Sequence, residues 1–236
     1  EQLQKYPAFS ISVTVINETE SGKKLLNVAL DQKKHTFTQS FEGENIISVQ
    51  VDPMYDVFRV LHPDEVPSSL SKAYGAKKTA FVLPSGAGKE EIKMYEDFIR
   101  DWKTGNEGEF EVLSDNSLNT WPVDQTVWIL GYQNKLANSF LKGLERFDLT
   151  NNENALQLGE KQISKTENST IITSKHPQNL DEVLVFFAID RADAISGLVR
   201  KLPHYGKYSY LAFEGEEPTN VVKGQWDVLD SPLVRK

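Results

Sequence analysis

Three stretches of this chain are apolar at every position: FVL at 81–83, VWIL at 127–130 and VLVFFAI at 183–189. A strand with one wet face alternates apolar and polar side chains, whereas a strand covered on both faces has no place for a polar one. Turn residues and then a helical pattern follow each run: PSGAGK before EEIKMYEDFIRDWKTG, GYQN before NKLANSFLKGLERF, and ID before RADAISGLVRKL. The first helix is the clearest, with Ile92, Tyr95, Phe98, Ile99 and Trp102 on one face and Gly105 as its stop. With FEVLSD and YSYLAFEG as further strands, this alternation predicts a mostly parallel, three-layer α/β domain over residues 77–216. The more polar stretches ALQLGEKQIS and STIITSKHP are expected to form an antiparallel β-hairpin insertion in it.

Residues 9–61 follow a different rule. FSISVTVIN sets Phe9, Ile11, Val13 and Val15 against Ser10, Ser12 and Thr14, the period of a half-buried strand. KLLNVAL, HTFTQSF and IISVQV follow, separated by the turn clusters ESGKK, DQKK and EGEN, and Asp52-Pro53 ends the last. They predict a small antiparallel, β-sandwich-like unit over residues 1–61, which buries little alone and should pack on something else. The two prolines of VLHPDEVPSSLSKAYGAKK suggest a linker over 62–76. The tail, 217–236, has no clear period and is expected to lie over a domain surface through Val221, Val222 and Trp226.

A net charge of −8 argues against nucleic-acid binding, which needs clustered Lys and Arg, and pairs such as Lys33-Lys34 and Lys77-Lys78 read as solvated faces. No apolar run approaches the ~20 residues of a membrane span. With no cysteine, disulfides, thiolate metal sites and a Cys nucleophile are excluded. The opening EQLQKYPAF carries no basic-then-apolar leader, as expected of a mature chain or an excised fragment.

PSGAGKEE has the position of a phosphate-binding loop without its chemistry. G-x-x-x-x-G-K-[ST] would need glycine where Leu83 stands and a hydroxyl where Glu90 stands. Glu90 and Glu91 suit a helix N-terminus but compete with a phosphate there. In an open α/β sheet, ligands bind beyond the carboxyl ends of the strands. A site at that edge would use Ser85, Gly86, Gly131, Asn134, Asp190 and Arg191, of which Gly131, Asn134 and Asp190 read equally as a tight turn and helix caps. None of the four histidines has metal-ligand spacing, and no G-x-S-x-G elbow occurs. Carboxylates are abundant, but an acid/base pair among them can be chosen only from distances. Aromatics in RKLPHYGKYSYLAFEG would lie at the opposite, amino-end rim of the sheet, so Tyr205 and Tyr208 are assigned to packing.

VDPMYDVFRVLHPDEVPSSLSKAYG and RKLPHYGKYSYLAFEGEEPTNVVKGQWDVLDSPL together resemble the C-terminal region of bacterial gluzincin-type zinc metallopeptidases related to aminopeptidase N. The likeness covers the end of the β unit, the linker, the last helix and strand and the tail; between them it is one of pattern, as in VWILGYQN. Such peptidases hold zinc through H-E-x-x-H and a downstream Glu, neither of which is present, so no catalytic residue carries over and no cofactor is expected in this chain. The resemblance implies an accessory, non-catalytic region of a larger exported protein, its partner the zinc-bearing peptidase domain upstream of Glu1, in a periplasmic or cell-envelope setting. Two alternatives follow from the residues: an independent α/β module taking a peptide or small ligand at the carboxyl edge, and a hydrolase with a non-standard carboxylate site.

Overall fold

The computed structural model describes residues 10–41 and 43–236. The opening EQLQKYPAF, with Phe9 of the first expected strand, and Glu42 of the EGEN turn lie outside them. In chain order the elements are β1 (Ile11–Thr19), β2 (Gly22–Leu30), β3 (Ile46–Val51), α1 (Leu70–Tyr74), β4 (Lys78–Leu83), α2 (Lys89–Gly105), β5 (Glu109–Ser114), β6 (Thr126–Leu130) and α3 (Ala137–Lys142). They continue with β7 (Leu149–Asn151), β8 (Ala155–Leu158), β9 (Lys161–Ser164), β10 (Asn168–His176), β11 (Asn179–Ala188), α4 (Ile195–Lys201), β12 (Tyr210–Glu214), β13 (Thr219–Gly224) and β14 (Val234–Arg235). No helix among the described residues is long and apolar enough to cross a membrane. The chain divides into two units, Glu1–Val66 with Val228–Lys236, and Pro67–Asp227.

The first unit is a four-stranded antiparallel sheet in the order β14-β3-β1-β2. HTFTQSF, expected as a strand, has no ladder partner and is exposed apart from Phe41. Phe37 stands half exposed, so the alternation there has no buried face to serve. The fourth strand comes instead from the far end of the chain, where β14 pairs with β3. Beneath the turn that follows β3, Arg59 donates to Asp52 at 2.8 Å and to both oxygens of Glu65 at 2.7 and 2.9 Å. Glu65 also accepts from the His62 amide and from Ser231 Oγ, each at 2.9 Å.

Both carboxylates are buried, and such a pair is stable only when its remaining lone pairs are bonded. The Arg59 guanidinium holds the Glu65 carboxyl down to about 2 from an ordinary 4.5. A depressed carboxyl contributes stability that is present above the ordinary value and is lost as pH falls through the depressed one. Between pH 4.5 and 2, therefore, this sheet should lose roughly 3 kcal/mol, seen as falling hydrogen-exchange protection of β1 and β3 amides. Protection unchanged across that window would overturn the assignment. Tryptophan fluorescence would miss the effect, because all four tryptophans lie in residues 67–227.

The second unit is built on a seven-stranded mixed sheet, β13-β12-β10-β11-β6-β4-β5. β5, β4, β6 and β11 run parallel, while β10 is antiparallel to both β11 and β12, and β13 is antiparallel to β12. Successive residues of the apolar runs serve opposite faces. Phe81, Trp128, Leu130, Val185 and Phe187 meet α1, α2 and α4, whereas Val82, Ile129, Leu184 and Phe186 meet α3 and the small sheet β7-β8-β9. This is a three-layer α/β arrangement, with half of its strand pairings antiparallel. ALQL and KQIS form the β8–β9 hairpin of the small sheet, but STIITSKH is the heart of β10, inside the main sheet. The linker stretch supplies α1, whose Leu70 and Ala73 enter the core. Residues 219–224 of the tail add β13, and 228–236 return to the first unit. Tyr205 packs edge-on against Phe213, 5.3 Å between ring centres, and 5.9 Å from Tyr208.

Segments distant in sequence are joined at Ser209, which is fully buried. Its Oγ donates to the Ser68 carbonyl at 2.6 Å and accepts from the Trp226 amide at 3.1 Å. Its carbonyl accepts from the Thr173 amide at 2.7 Å and hydroxyl at 3.0 Å, and Trp226 Nε1 donates to the Thr173 carbonyl at 2.7 Å. Close approach enforces glycine beside it: Gly224, whose carbonyl accepts from the Ser209 amide, would drive a Cβ into the Tyr210 ring. Ser209→Ala would orphan a buried carbonyl and a buried amide and should destabilise this unit by about 2 kcal/mol in urea unfolding. Ser69→Ala, whose hydroxyl bonds only an exposed Ser71 hydroxyl, should stay within about 0.5 kcal/mol, and equal losses for the two would refute the node.

Candidate functional site

The carboxyl ends of β4, β6 and β11 meet along one edge of the main sheet. β12 also ends there, and β10 and β13 begin there, because β10 and β13 run the other way. The edge has two halves with different chemistry.

On the parallel half the strand order reverses between β4 and β6, where an open α/β sheet leaves a crevice for ligand. Asn134 fills it. Its Nδ2 donates to the Val82 carbonyl at 2.8 Å and the Leu130 carbonyl at 3.3 Å, and its Oδ1 accepts from the Leu136 amide at 3.1 Å. Beside it Asp115, almost fully buried, accepts from the Ser85 amide at 3.0 Å and the Lys135 amide at 2.9 Å. Burial alone would raise the Asp115 carboxyl, but hydrogen bonds from Ser85 and Lys135 outweigh it and hold the group below its ordinary value. An internal carboxylate thus sits where PSGAGK would present amides to an anion. Gly131 turns with φ +79°, and a Cβ there would lie 3.0 Å from Glu91 Oε1 and from Tyr95 Oη. Gly86 keeps ordinary clearance, its would-be Cβ 3.8 Å from the Gln133 carbonyl.

The antiparallel half is open. A groove of about 990 Å³ lies between the β8–β9 hairpin and the residues linking β12 to β13. Arg191 lines it, held at 2.9 Å by Asp190, which in turn accepts from Ser169 Oγ. Glu167, Glu214 and Glu217 also line it, with Gln162 and Asn168. Of the six residues expected at this edge, Ser85, Gly131 and Asn134 belong to the filled half, Gly86 to its rim, Asp190 to a supporting contact, and Arg191 to the groove. The sequence reading missed Asp115, Asn168 and Glu214. Asp115 follows a strand as any turn residue might, and the other two meet only through the pairing of β10 with β12.

Two of the four histidines are structurally committed. His62 accepts from the Asp64 amide, and His176, fully buried, uses Nδ1 for the Gln178 amide and Nε2 for the Pro122 carbonyl. Among the described residues no group of three or more His, Cys, Asp or Glu is placed to hold a metal ion. No family model matches the chain, and no curated protein matches it significantly.

Asp115→Ala would leave the Ser85 and Lys135 amides unpaired and should lower stability by about 2–3 kcal/mol in urea unfolding monitored by tryptophan fluorescence. Asp115→Asn, which keeps one acceptor, should cost less. Equal and negligible losses for both would show that the carboxylate does not organise the edge.

Proposed function

We propose that this chain is the accessory C-terminal region of a larger bacterial zinc aminopeptidase-like protein of the periplasm or cell envelope. It is not catalytic alone, and it packs on or presents substrate to the peptidase domain upstream of it in the same polypeptide. The observation that carries this reading is an apolar strip left in solvent within residues 54–61: Met54 is 71% exposed, Val60 91%, and Phe58 fully. Clustered exposure of this kind marks an interaction surface, and the upstream domain is the occupant that the sequence resemblance supplies. Segments that carry the resemblance, PSSL, KYSY and GQW, contribute Ser68, Ser209 and Trp226 to one buried hydrogen-bonded node, which fits a structural role for them.

A second reading, an independent ligand-binding module at the carboxyl edge, is favoured by the groove beside Arg191. It is compatible with a substrate-presenting role.

The isolated chain, assayed with added zinc against aminoacyl-arylamide substrates, should show no turnover above the zinc-only blank. Genuine turnover, abolished by chelation and absent from the blank, would overturn the accessory reading.

A further inference from the structure

The groove carries more chemical information than its position. The groove is lined by Glu167, Glu214 and Glu217 and by one cation, Arg191, whose guanidinium is committed to Asp190; Glu217 is paired at 3.3 Å with Arg200, which leaves Glu167 and Glu214 as the carboxylates without a counter-charge. Glu167 and Glu214 are exposed, and their carboxylates make no hydrogen bond or ion pair within the described residues. Such a lining repels phosphates and acidic ligands and attracts cations.

Asn168 adds an independent constraint. It is 9% exposed, and its Oδ1 accepts from the Ser164 amide at 2.9 Å, while its Nδ2 has no partner within the described residues. Trp128 Nε1 is the one described side-chain atom that is fully buried without a partner, so the Asn168 amide nitrogen reaches the groove that Asn168 lines. A donor open to the groove and unpaired within the protein is placed to bond an acceptor on a ligand there.

Cationic groups and carbonyl acceptors occur together along a basic peptide. A metal ion alone would leave most of about 990 Å³ unused, and no metal-holding cluster occurs among the described residues. Sugar rings and bases favour aromatic faces, and no aromatic residue lines the groove.

We propose that this groove binds an extended basic peptide, its ammonium or guanidinium groups on Glu167 and Glu214 and a backbone carbonyl on Asn168. The proposal rests on the second reading above, and the experiment separates the two. Fluorescein-labelled Lys-Ala-Lys-Ala-Lys and Glu-Ala-Glu-Ala-Glu would be titrated with the full chain by anisotropy, and maltotriose by calorimetry. The basic peptide should bind with a Kd below about 1 mM at low salt and weaken as ionic strength rises. The Glu167→Gln, Glu214→Gln double variant should bind it roughly tenfold more weakly with an unchanged melting temperature. The remote pair Glu96→Gln, Glu107→Gln should leave binding unchanged. Basic-peptide binding that ignores the groove variants, or weakens equally with the remote pair, would overturn the proposal. Binding of the acidic peptide or maltotriose alone would overturn it while keeping a ligand-binding module, and binding of no probe would remove both.

Discussion

The second unit depends on a shared hydrogen-bonded node more than on any single apolar contact. Ser209 stands where β12 begins, and through its hydroxyl and carbonyl it ties Ser68, Thr173 of β10 and Trp226 after β13. None of these groups sees water, so each bond is obligatory: losing one leaves a desolvated partner, which costs more than the bond itself contributes. Tight approach reinforces the arrangement, since Gly224, whose carbonyl accepts from the Ser209 amide, lies against the Tyr210 ring with no room for a side chain. Geometry and polarity therefore specify the same packing, and the apolar faces of the sheet fill in around it.

The same economy governs the carboxyl edge. An α/β sheet offers unpaired amides and carbonyls where its strand order reverses, and a ligand is one way to satisfy them. Here Asn134 and Asp115 do so from within. The half of the edge that remains open is the one where antiparallel strands interrupt the series. Its character is set by exposed carboxylates and a nearly buried amide rather than by a glycine-rich turn.

How much of this was legible follows from what local pattern can encode. FVL, VWIL and VLVFFAI declared strands covered on both faces, because no polar position survives in them. β10 is equally covered yet reads as polar, since Ser169, Thr170 and Thr173 take their partners from other elements, Asp190, Tyr132 and Ser209. A hydroxyl satisfied from another element looks like a hydroxyl in water, so the strand was expected at a hairpin edge and lies in the middle of the sheet. HTFTQSF shows the converse, an alternation with nothing to pair against. For the site, Arg191 was visible as the residue after a strand, whereas Asn168 and Glu214 are neighbours only because β10 and β12 pair 46 residues apart.

The placement of β14 bears on the order in which the chain can be made and folded. β3 is completed by Val234 and Arg235, and Glu65 receives a hydrogen bond from Ser231, so the first unit takes its last strand and one bond to its buried carboxylate from residues 231–235, beyond the second unit. During synthesis those residues emerge after the whole second unit. Until then β3 presents an open edge of unpaired amides and carbonyls, a state prone to pairing with other strands. The sheet of the first unit is thus sealed only after the second unit has emerged, and the return of residues 231–235 works as a clasp on an edge left open while everything between is made.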